Sequence, residues 1–173
     1  PLEAEAEANL AVGLDGAQTL LGPAIRLWST VMSRAEPRST SGALPPTRPL
    51  VLLGLGGSLR SSFDSTALVA QTALSLGATW WTSPRVSLRS SASVAARWMS
   101  VSLAPHDTSR SRWVPVIAAE MDVRTKLANT WALRGGIGLE ASLGSTRLWR
   151  GDQPLGQLPL THLTVSVGVT KTW

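Results

Sequence analysis

Apolar and polar residues alternate along most of this chain, and the alternation is clearest between Leu160 and Trp173. From Leu163 onward the even positions carry threonine, serine or glycine, whereas the odd positions are Leu163, Val165, Val167, Val169, Lys171 and Trp173. Successive side chains of a β-strand point to opposite faces, so this pattern predicts a strand with one apolar face and one small, polar face.

The same two-residue period recurs in seven earlier segments, so the sequence predicts eight strands. They are about Glu3–Asp15, Gly22–Arg34, Leu50–Arg60, Ala67–Trp81, Arg85–Leu103, Arg112–Lys126, Thr130–Gly144 and Leu160–Trp173. The first segment is rich in Ala and Glu, as helices are, but its strict alternation would spread glutamates around a helix. Several segments are longer than the roughly 5–6 residues usual in soluble sheets, and they reach the roughly 9–11 residues needed to cross a bilayer.

Charged residues occupy the polar faces of these strands and are almost absent from the apolar faces at mid-strand. In a soluble sandwich the polar face would meet water, whereas in a narrow barrel it faces the interior, where charges need partners. Both signs occur, so pairing is possible. Glu3 shares this face with the residues that we assign to a lumen charge network, which are Glu5, Glu7, Asp15, Arg26, Arg89, Arg97, Glu120, Asp122, Arg124, Arg134 and Glu140.

Glycine also gathers on the polar face, at Gly54, Gly56, Gly136, Gly138 and Gly168. A lumen only eight strands wide lacks room for large side chains at every level, so small residues beside long Arg and Glu suit it. We therefore expect a serine at Gly138 to be tolerated better than an arginine at an outward position such as Leu139 or Val167.

Five of the eight tryptophans lie on the apolar face and near the ends of the predicted strands, whereas Trp28 lies on the polar face of the second segment. In an up-and-down arrangement one group falls on one rim and a second group on the other, as in the aromatic girdles of membrane barrels. The tryptophans assigned to these girdles are Trp80, Trp98, Trp113, Trp131 and Trp173. The distribution favours an apolar face that meets lipid over the core of a soluble barrel or sandwich.

The predicted links also differ between the two rims. Residues 82–84 and 127–129 read as tight turns, whereas 104–111 and 145–159 read as longer polar loops on the opposite rim. Short turns on the periplasmic rim and longer loops outside are typical of outer-membrane barrels. The Pro- and Ser-rich segment 35–49 departs from this rule, and we interpret it either as a disordered loop or as a docking segment for another envelope protein.

At 173 residues the chain is predicted to be a single domain, 1–173, without cysteine and therefore without disulfides or thiolate metal sites. No apolar run approaches the roughly 18–20 residues of a spanning helix. The chain does not begin with an initiator, so we expect a mature or truncated form. The net charge of +5 comes from scattered arginines without a nucleic-acid-binding motif, so we expect no nucleic-acid partner.

Taken together, these features resemble the small eight-stranded outer-membrane barrels of the OmpA/OmpX class. The abundance of Gly, Leu and Arg also resembles that of barrels from high-GC proteobacteria. The most specific element is a C-terminal assembly signal, formed by Val165, Val167, Val169 and Trp173, with Lys171 as a departure. The resemblance implies recognition by the barrel-assembly machinery and contact with outer-membrane lipid. For lipopolysaccharide phosphates, the candidate contacts in the outer loops and rim are Arg110, Arg112, Arg147 and Arg150.

Candidate chemistry is sparse. His106 and His162 are far apart in the sequence, and without cysteine they form no metal-binding spacing. A lipid-modifying enzyme would need His, Ser and an acid facing the bilayer, and no outward set of this kind is predicted. We therefore expect no catalytic residue, no cofactor and no metal.

The sequence thus predicts an all-β, eight-stranded, antiparallel, up-and-down transmembrane β-barrel in the bacterial outer membrane. Its expected role is non-enzymatic, as a structural anchor or subunit of a larger cell-envelope assembly, with a lumen plugged by charged side chains. A lipid-modifying enzyme or narrow channel on the same fold, and a soluble barrel that binds an apolar ligand, remain the alternatives.

Overall fold

The computed structural model describes residues 2–14, 18–32, 50–62, 66–83, 85–103, 108–144, 147–150, 153–157 and 159–173. Its ten strands are β1 (Leu2–Gly13), β2 (Thr19–Met32), β3 (Leu50–Ser62), β4 (Thr66–Thr82), β5 (Val86–Leu103), β6 (Thr108–Lys126), β7 (Trp131–Ser142), β8 (Arg147–Arg150), β9 (Gln153–Gln157) and β10 (Thr161–Thr172). No helix long and apolar enough to span a membrane occurs in these ranges.

Eight of the strands close into a barrel in the order β1-β10-β7-β6-β5-β4-β3-β2, with every neighbouring pair antiparallel. The predicted all-β, eight-stranded, up-and-down fold is therefore confirmed. Long alternating segments form it because each strand buries one face and leaves the other outside, and closure pairs β1 with β10 so that no edge is left over.

Two predictions about the links are wrong. Residues 145–159, predicted as a polar loop, contain the separate hairpin β8–β9, whose register shifts between Leu148 and Trp149, so strict alternation does not reveal it. The predicted loop 104–111 is also shorter, because β5 runs to Leu103 and β6 begins at Thr108, with these two residues paired. The strand pair β5–β6 therefore continues through the serine and arginine residues that begin β6, beyond the part of β6 that is paired with β7.

The barrel has two rims, named here by what they carry. The terminal rim holds Leu2 of β1, Thr172 of β10 and the turns at 83–85 and 127–130. The hairpin rim holds the opposite strand ends and the β8–β9 connection. The predicted tight turns at 82–84 and 127–129 thus lie together on the terminal rim.

The two faces of the barrel reverse the arrangement of a soluble protein. Large apolar side chains lie exposed on the outside, among them Leu55 and Val167 at 61% and 58% exposure. Most fully buried side chains, in contrast, are charged or polar and line the interior, as Arg89, Arg134 and Glu5 do. A continuous exposed apolar surface would drive a soluble protein to aggregate, but it is the surface that a hydrocarbon solvent requires.

The exposed apolar surface also has the height of a bilayer core. On β6 it runs from Trp113 to Val123, which is ten residue steps. At about 3.3 Å per residue and a tilt of about 40° that distance corresponds to about 25 Å along the barrel axis, the usual height of the apolar band of outer-membrane barrels.

Candidate functional site

The interior near the terminal rim is filled by a cluster of ion pairs. Arg89 of β5 and Arg124 of β6 each contact the same three carboxylates, which are Glu3, Glu5 and Asp122. The distance from Arg89 Nε to Asp122 Oδ2 is 3.1 Å, and that from Arg124 Nε to Asp122 Oδ1 is 2.9 Å. Forked guanidinium groups can bind several carboxylates at once, so two arginines join β1, β5 and β6 across the lumen.

Arg134 of β7 connects this cluster to the middle of the barrel. Its guanidinium contacts Glu7 and Glu120, and its Nε lies 3.5 Å from Asp122 Oδ1. Arg26 of β2 reaches the same two glutamates, Glu7 on the neighbouring β1 and Glu120 on β6 across the lumen, with 3.0 Å between its Nη2 and Glu7 Oε1. We call this connected set the large network; its members are Glu3, Glu5, Glu7, Arg26, Arg89, Glu120, Asp122, Arg124 and Arg134.

A second set, the small network, lies toward the hairpin rim and consists of Arg60, Arg97, Glu140 and Gln71. Arg60 donates two hydrogen bonds to Glu140, of 2.8 and 2.7 Å. Arg97 contacts the same carboxylate, and its Nε donates a 3.0 Å hydrogen bond to Gln71 Oε1. Arg60, Arg97 and Glu140 are all buried, and the two guanidinium groups contact the carboxylate directly.

Taken together, the two networks contain as many positive as negative charges, although neither is balanced by itself. The large network has four arginines and five carboxylates, and the small network has two arginines and one carboxylate. Their formal charges are therefore −1 and +1. Burial of this many charges is tolerable only because each guanidinium meets at least one carboxylate.

Ten of the eleven residues assigned to the lumen network lie in these two sets, and Asp15 lies outside the described residues. Sequence reasoning omitted Arg60, although it occupies the same strand face as Gly54, Gly56 and Ser58. It was omitted because it lies at the predicted end of this strand. The strand continues to Ser62, so Arg60 remains inside the barrel.

Trp28 is a tryptophan that the lumen holds rather than the lipid face. It is 1% exposed, and the Arg89 guanidinium stacks 4.2 Å from the centroid of its ring. On the other side the ring lies against Gly54 and Gly77, where a Cβ atom would approach ring carbons to 2.6 and 3.1 Å. The ring is therefore held between a charged plane and two side-chain-free backbones, as cation–π stacking requires.

We expect Gly54→Ala to lower the free energy of unfolding by about 1–3 kcal/mol, because the added methyl overlaps a ring that cannot retreat from Arg89. Urea unfolding of the barrel in lipid vesicles measures this. Gly135→Ala is the matched control, since a Cβ there meets nothing within 4 Å. Equal unfolding midpoints for the two variants would contradict the packing described for Trp28.

Gly138 has little room for any side chain. A Cβ at this position would lie 2.7 Å from the Ala119 carbonyl oxygen and 2.8 Å from Thr164 Oγ1. The backbone of β6 cannot move aside without breaking its pairing with β7, so we expect Gly138→Ser to lower stability, and its being tolerated better than an outward arginine stays a prediction. Gly136 is similar, because Glu120 and Ser166 side chains occupy the space beside it.

A small cavity of about 40 Å³ separates the two networks. Its floor and roof include Arg26, Glu120, Arg60 and Glu140, and serine hydroxyls of β3, β4 and β5 form much of its wall. A space of this size holds a few water molecules but no larger solute. Toward the hairpin rim the interior also contains buried apolar residues, of which Ala11, Leu20 and Val69 pack together, with Met99 against them.

The outward tryptophans lie at both rims. Trp98 and Trp113 are direct cross-strand partners toward the hairpin rim, and Trp113 is 62% exposed. Trp80, Trp131 and Trp173 are exposed at the terminal rim, where Trp131 and Trp173 flank Lys171. Val165, Val167 and Val169 point outward on β10, between this rim and the middle of the barrel.

The remaining predicted residues are less fully described. Arg112 is exposed on the part of β6 that extends beyond β7, and Arg110 is paired through its backbone with Val101. Arg147 and Arg150 begin and end β8, and segment 35–49 and His106 lie outside the described residues. His162 is buried on the inner face, and within the described ranges no three His, Asp or Glu side chains are grouped in a way that could hold a metal ion.

Solved structures with the same fold are outer-membrane proteins. Neisserial surface protein A superposes with a TM-score of 0.66 at 12% identity, covering 99% of this chain and 96% of its own. The major outer-membrane protein of Thermus thermophilus gives 0.58 at 11% identity, covering 99% of both chains. The attachment invasion locus protein of Yersinia pestis gives 0.57 at 10% identity, covering 98% of this chain and 95% of its own.

No protein-family model and no curated protein sequence matches the chain. The resemblance to small outer-membrane barrels is nevertheless confirmed at the level of the fold, with nearly complete coverage on both sides. The fold and the exposed apolar band are together those of a bacterial outer-membrane β-barrel.

Proposed function

We propose, from the fold of a small outer-membrane barrel, that this chain is a non-enzymatic structural component of the bacterial outer membrane. It serves as an anchor or subunit of a larger cell-envelope assembly, and charged side chains close its lumen. The observation that carries this proposal is the succession of two ion-pair networks across the interior, which we expect to interrupt any aqueous path through the barrel.

The ion pairs inside the lumen argue against a transport role. Arg26 of β2 and Arg134 of β7 both contact Glu7 and Glu120, and Arg60 and Arg97 meet Glu140 one layer further on. A permeating ion would have to displace charge-assisted hydrogen bonds in both layers.

The outward positions of the described barrel strands carry no histidine or carboxylate that could act as a base. Among the outward positions of the described barrel strands the single charged residue is Lys171, and His162 faces inward. Hydrolysis or acyl transfer on a membrane lipid needs a nucleophile with a base beside it, open to the bilayer. This surface supports a role in anchoring rather than in lipid modification.

We derive the lipid and protein contacts of such an anchor from the residues at its two rims. We assign Trp80, Trp98, Trp113, Trp131 and Trp173 to the two lipid interfaces, because an indole ring stays in lipid while its N–H reaches headgroups. Arg112, with Arg110, Arg147 and Arg150 near the same rim, is proposed to bind lipopolysaccharide phosphates. Val165, Val167, Val169 and Trp173 are proposed as the signal for the barrel-assembly machinery, and segment 35–49 as a docking segment for another envelope protein.

Two measurements test this function. Purified barrel in planar bilayers is expected to give no stepwise conductance, and expression in a Gram-negative host is expected to leave the mass of lipid A unchanged. A reproducible single-channel step would replace the anchor with a narrow channel. A mass shift in lipid A that requires the intact barrel would replace it with an enzyme.

A variant with both layers opened supplies the positive control for conductance. We expect simultaneous Arg26→Ala, Glu120→Ala, Arg60→Ala and Glu140→Ala to produce measurable conductance, because one arginine and one carboxylate leave each layer without changing its formal charge. Each pair alone should stay closed, since the other layer remains. Conductance from either single-layer variant would show that one network, not two, closes the lumen.

A further inference from the structure

Lys171 stands apart from every other charge of the barrel. It follows the valines of β10 on the outward face, where all other described barrel positions are uncharged. Its backbone is paired with Ala4 of β1 and Trp131 of β7, so it lies where three strands meet at the terminal rim. A cation on the lipid face is costly at mid-bilayer and inexpensive only near the interface, so its height corresponds to that of lipid headgroups.

Two indole rings hold the ammonium group in place. Lys171 Nζ lies 5.5 Å from the ring centroid of Trp131 and 5.0 Å from that of Trp173. Trp131 is fixed by its strand pairing, and the backbone N–H of Trp173 donates a 3.0 Å hydrogen bond to the carbonyl of Leu2. The cation is therefore oriented by the protein rather than left free to swing in solvent.

No carboxylate among the described residues neutralises this cation. Among the described residues Lys171 forms no ion pair, and Glu3 on neighbouring β1 points into the lumen, where Arg89 and Arg124 contact it. An aromatic ring attracts a cation but accepts none of the strong hydrogen bonds that an ammonium group can donate. On the β1 side Ala4 is small, so a ligand can reach the group between the rings.

We propose that Trp131, Lys171 and Trp173 form a binding site for the phosphate of a glycerophospholipid in the leaflet at the terminal rim. The ammonium group donates hydrogen bonds to the phosphate, and the two rings cover the glycerol region. Exposed Val169 and Leu133, one step further along the same strands, contact the acyl chains. The site rests on the proposed membrane location of the barrel, and it gives the unusual lysine of the C-terminal segment a use.

Native mass spectrometry of the refolded full chain tests the site with dimyristoylphosphatidylglycerol as probe and dimyristoylglycerol, which lacks the phosphate, as its match. We expect wild type to retain one phosphatidylglycerol, and Lys171→Met to need about tenfold more lipid for the same occupancy. Lys171→Arg should stay close to wild type, because it keeps the charge and the stacking. Wild type should show no comparable retention of dimyristoylglycerol.

Lys126→Met is the matched control, since Lys126 is exposed near the same rim but on the inner face. Equal losses for Lys126→Met and Lys171→Met would overturn the site in favour of diffuse attraction, as would unchanged retention in Lys171→Met. Full competition by millimolar inorganic phosphate would assign the site to free phosphate instead of lipid. Failure of folded wild type to insert into vesicles would overturn the membrane location itself, which separates that outcome from the others.

Discussion

Val167→Arg is expected to prevent most of the chain from inserting into lipid vesicles. Val167 is 58% exposed on the outward face of β10, close to the middle of the strand, so the guanidinium would enter the hydrocarbon core. An arginine at the bilayer midplane of a barrel costs about 2–4 kcal/mol. The folded fraction after dilution from urea into vesicles, measured by its resistance to SDS without heating, reports the loss.

Thr125→Arg is the control for depth. Thr125 is exposed on the outward face of β6 at the terminal rim, where the same charge costs about 0–1 kcal/mol. Lys171 lies on the same strand and face as Val167 but near the terminal rim. Among the described outward strand positions it is the one place where the chain carries a cation. Similar insertion by both variants would mean that the apolar face does not meet hydrocarbon.

Arg134→Met is expected to lower the free energy of unfolding by about 3 kcal/mol or more, because it leaves buried carboxylates without their shared partner. Arg134 contacts Glu7, Glu120, Asp122 and Glu5, and its side chain is fully buried. The large network then carries five carboxylates against three arginines. Urea unfolding in lipid vesicles at neutral pH measures the change.

The sign of the excess charge predicts an asymmetry that a general loss of packing would not produce. Glu7→Gln should cost less than Arg134→Met, because the large network already has one carboxylate more than it has arginines. The double variant Arg134→Met, Glu7→Gln should recover part of the stability. Arg85→Met, at an exposed turn, should stay within about 0.5 kcal/mol of wild type. Strictly additive effects at Glu7 and Arg134 would contradict their direct pairing.

The two-residue period was sufficient to predict eight strands, their faces and the fold, because a closed barrel imposes that period on every strand. It also assigned Trp28 to the interior, where a tryptophan is unexpected. The prediction was wrong where the alternation is interrupted, as at the register shift within β8–β9. It was also wrong where a strand extends beyond its apolar residues, as β6 does before Arg112.

The sequence alone predicted only part of the membership of the two networks. Parity alone assigns a charge to the lumen, but the extent of β3 had to be known before Arg60 could be included. Which carboxylate meets which arginine depends on barrel closure and strand stagger. Arg26 and Glu120, for example, are 94 residues apart in the chain and meet across the lumen because β2 and β6 lie on facing walls.

By itself the sequence determined which side chains face lipid and which face one another, since alternation is a local property that each strand carries without its neighbours. Only the tertiary structure decided that the interior charges divide into two layers with formal charges of −1 and +1, that Trp28 stacks between Arg89 and two glycines, and that two indoles orient Lys171. These arrangements join residues from different strands. The register between those strands arises from the closure of the whole barrel, so no single segment encodes it.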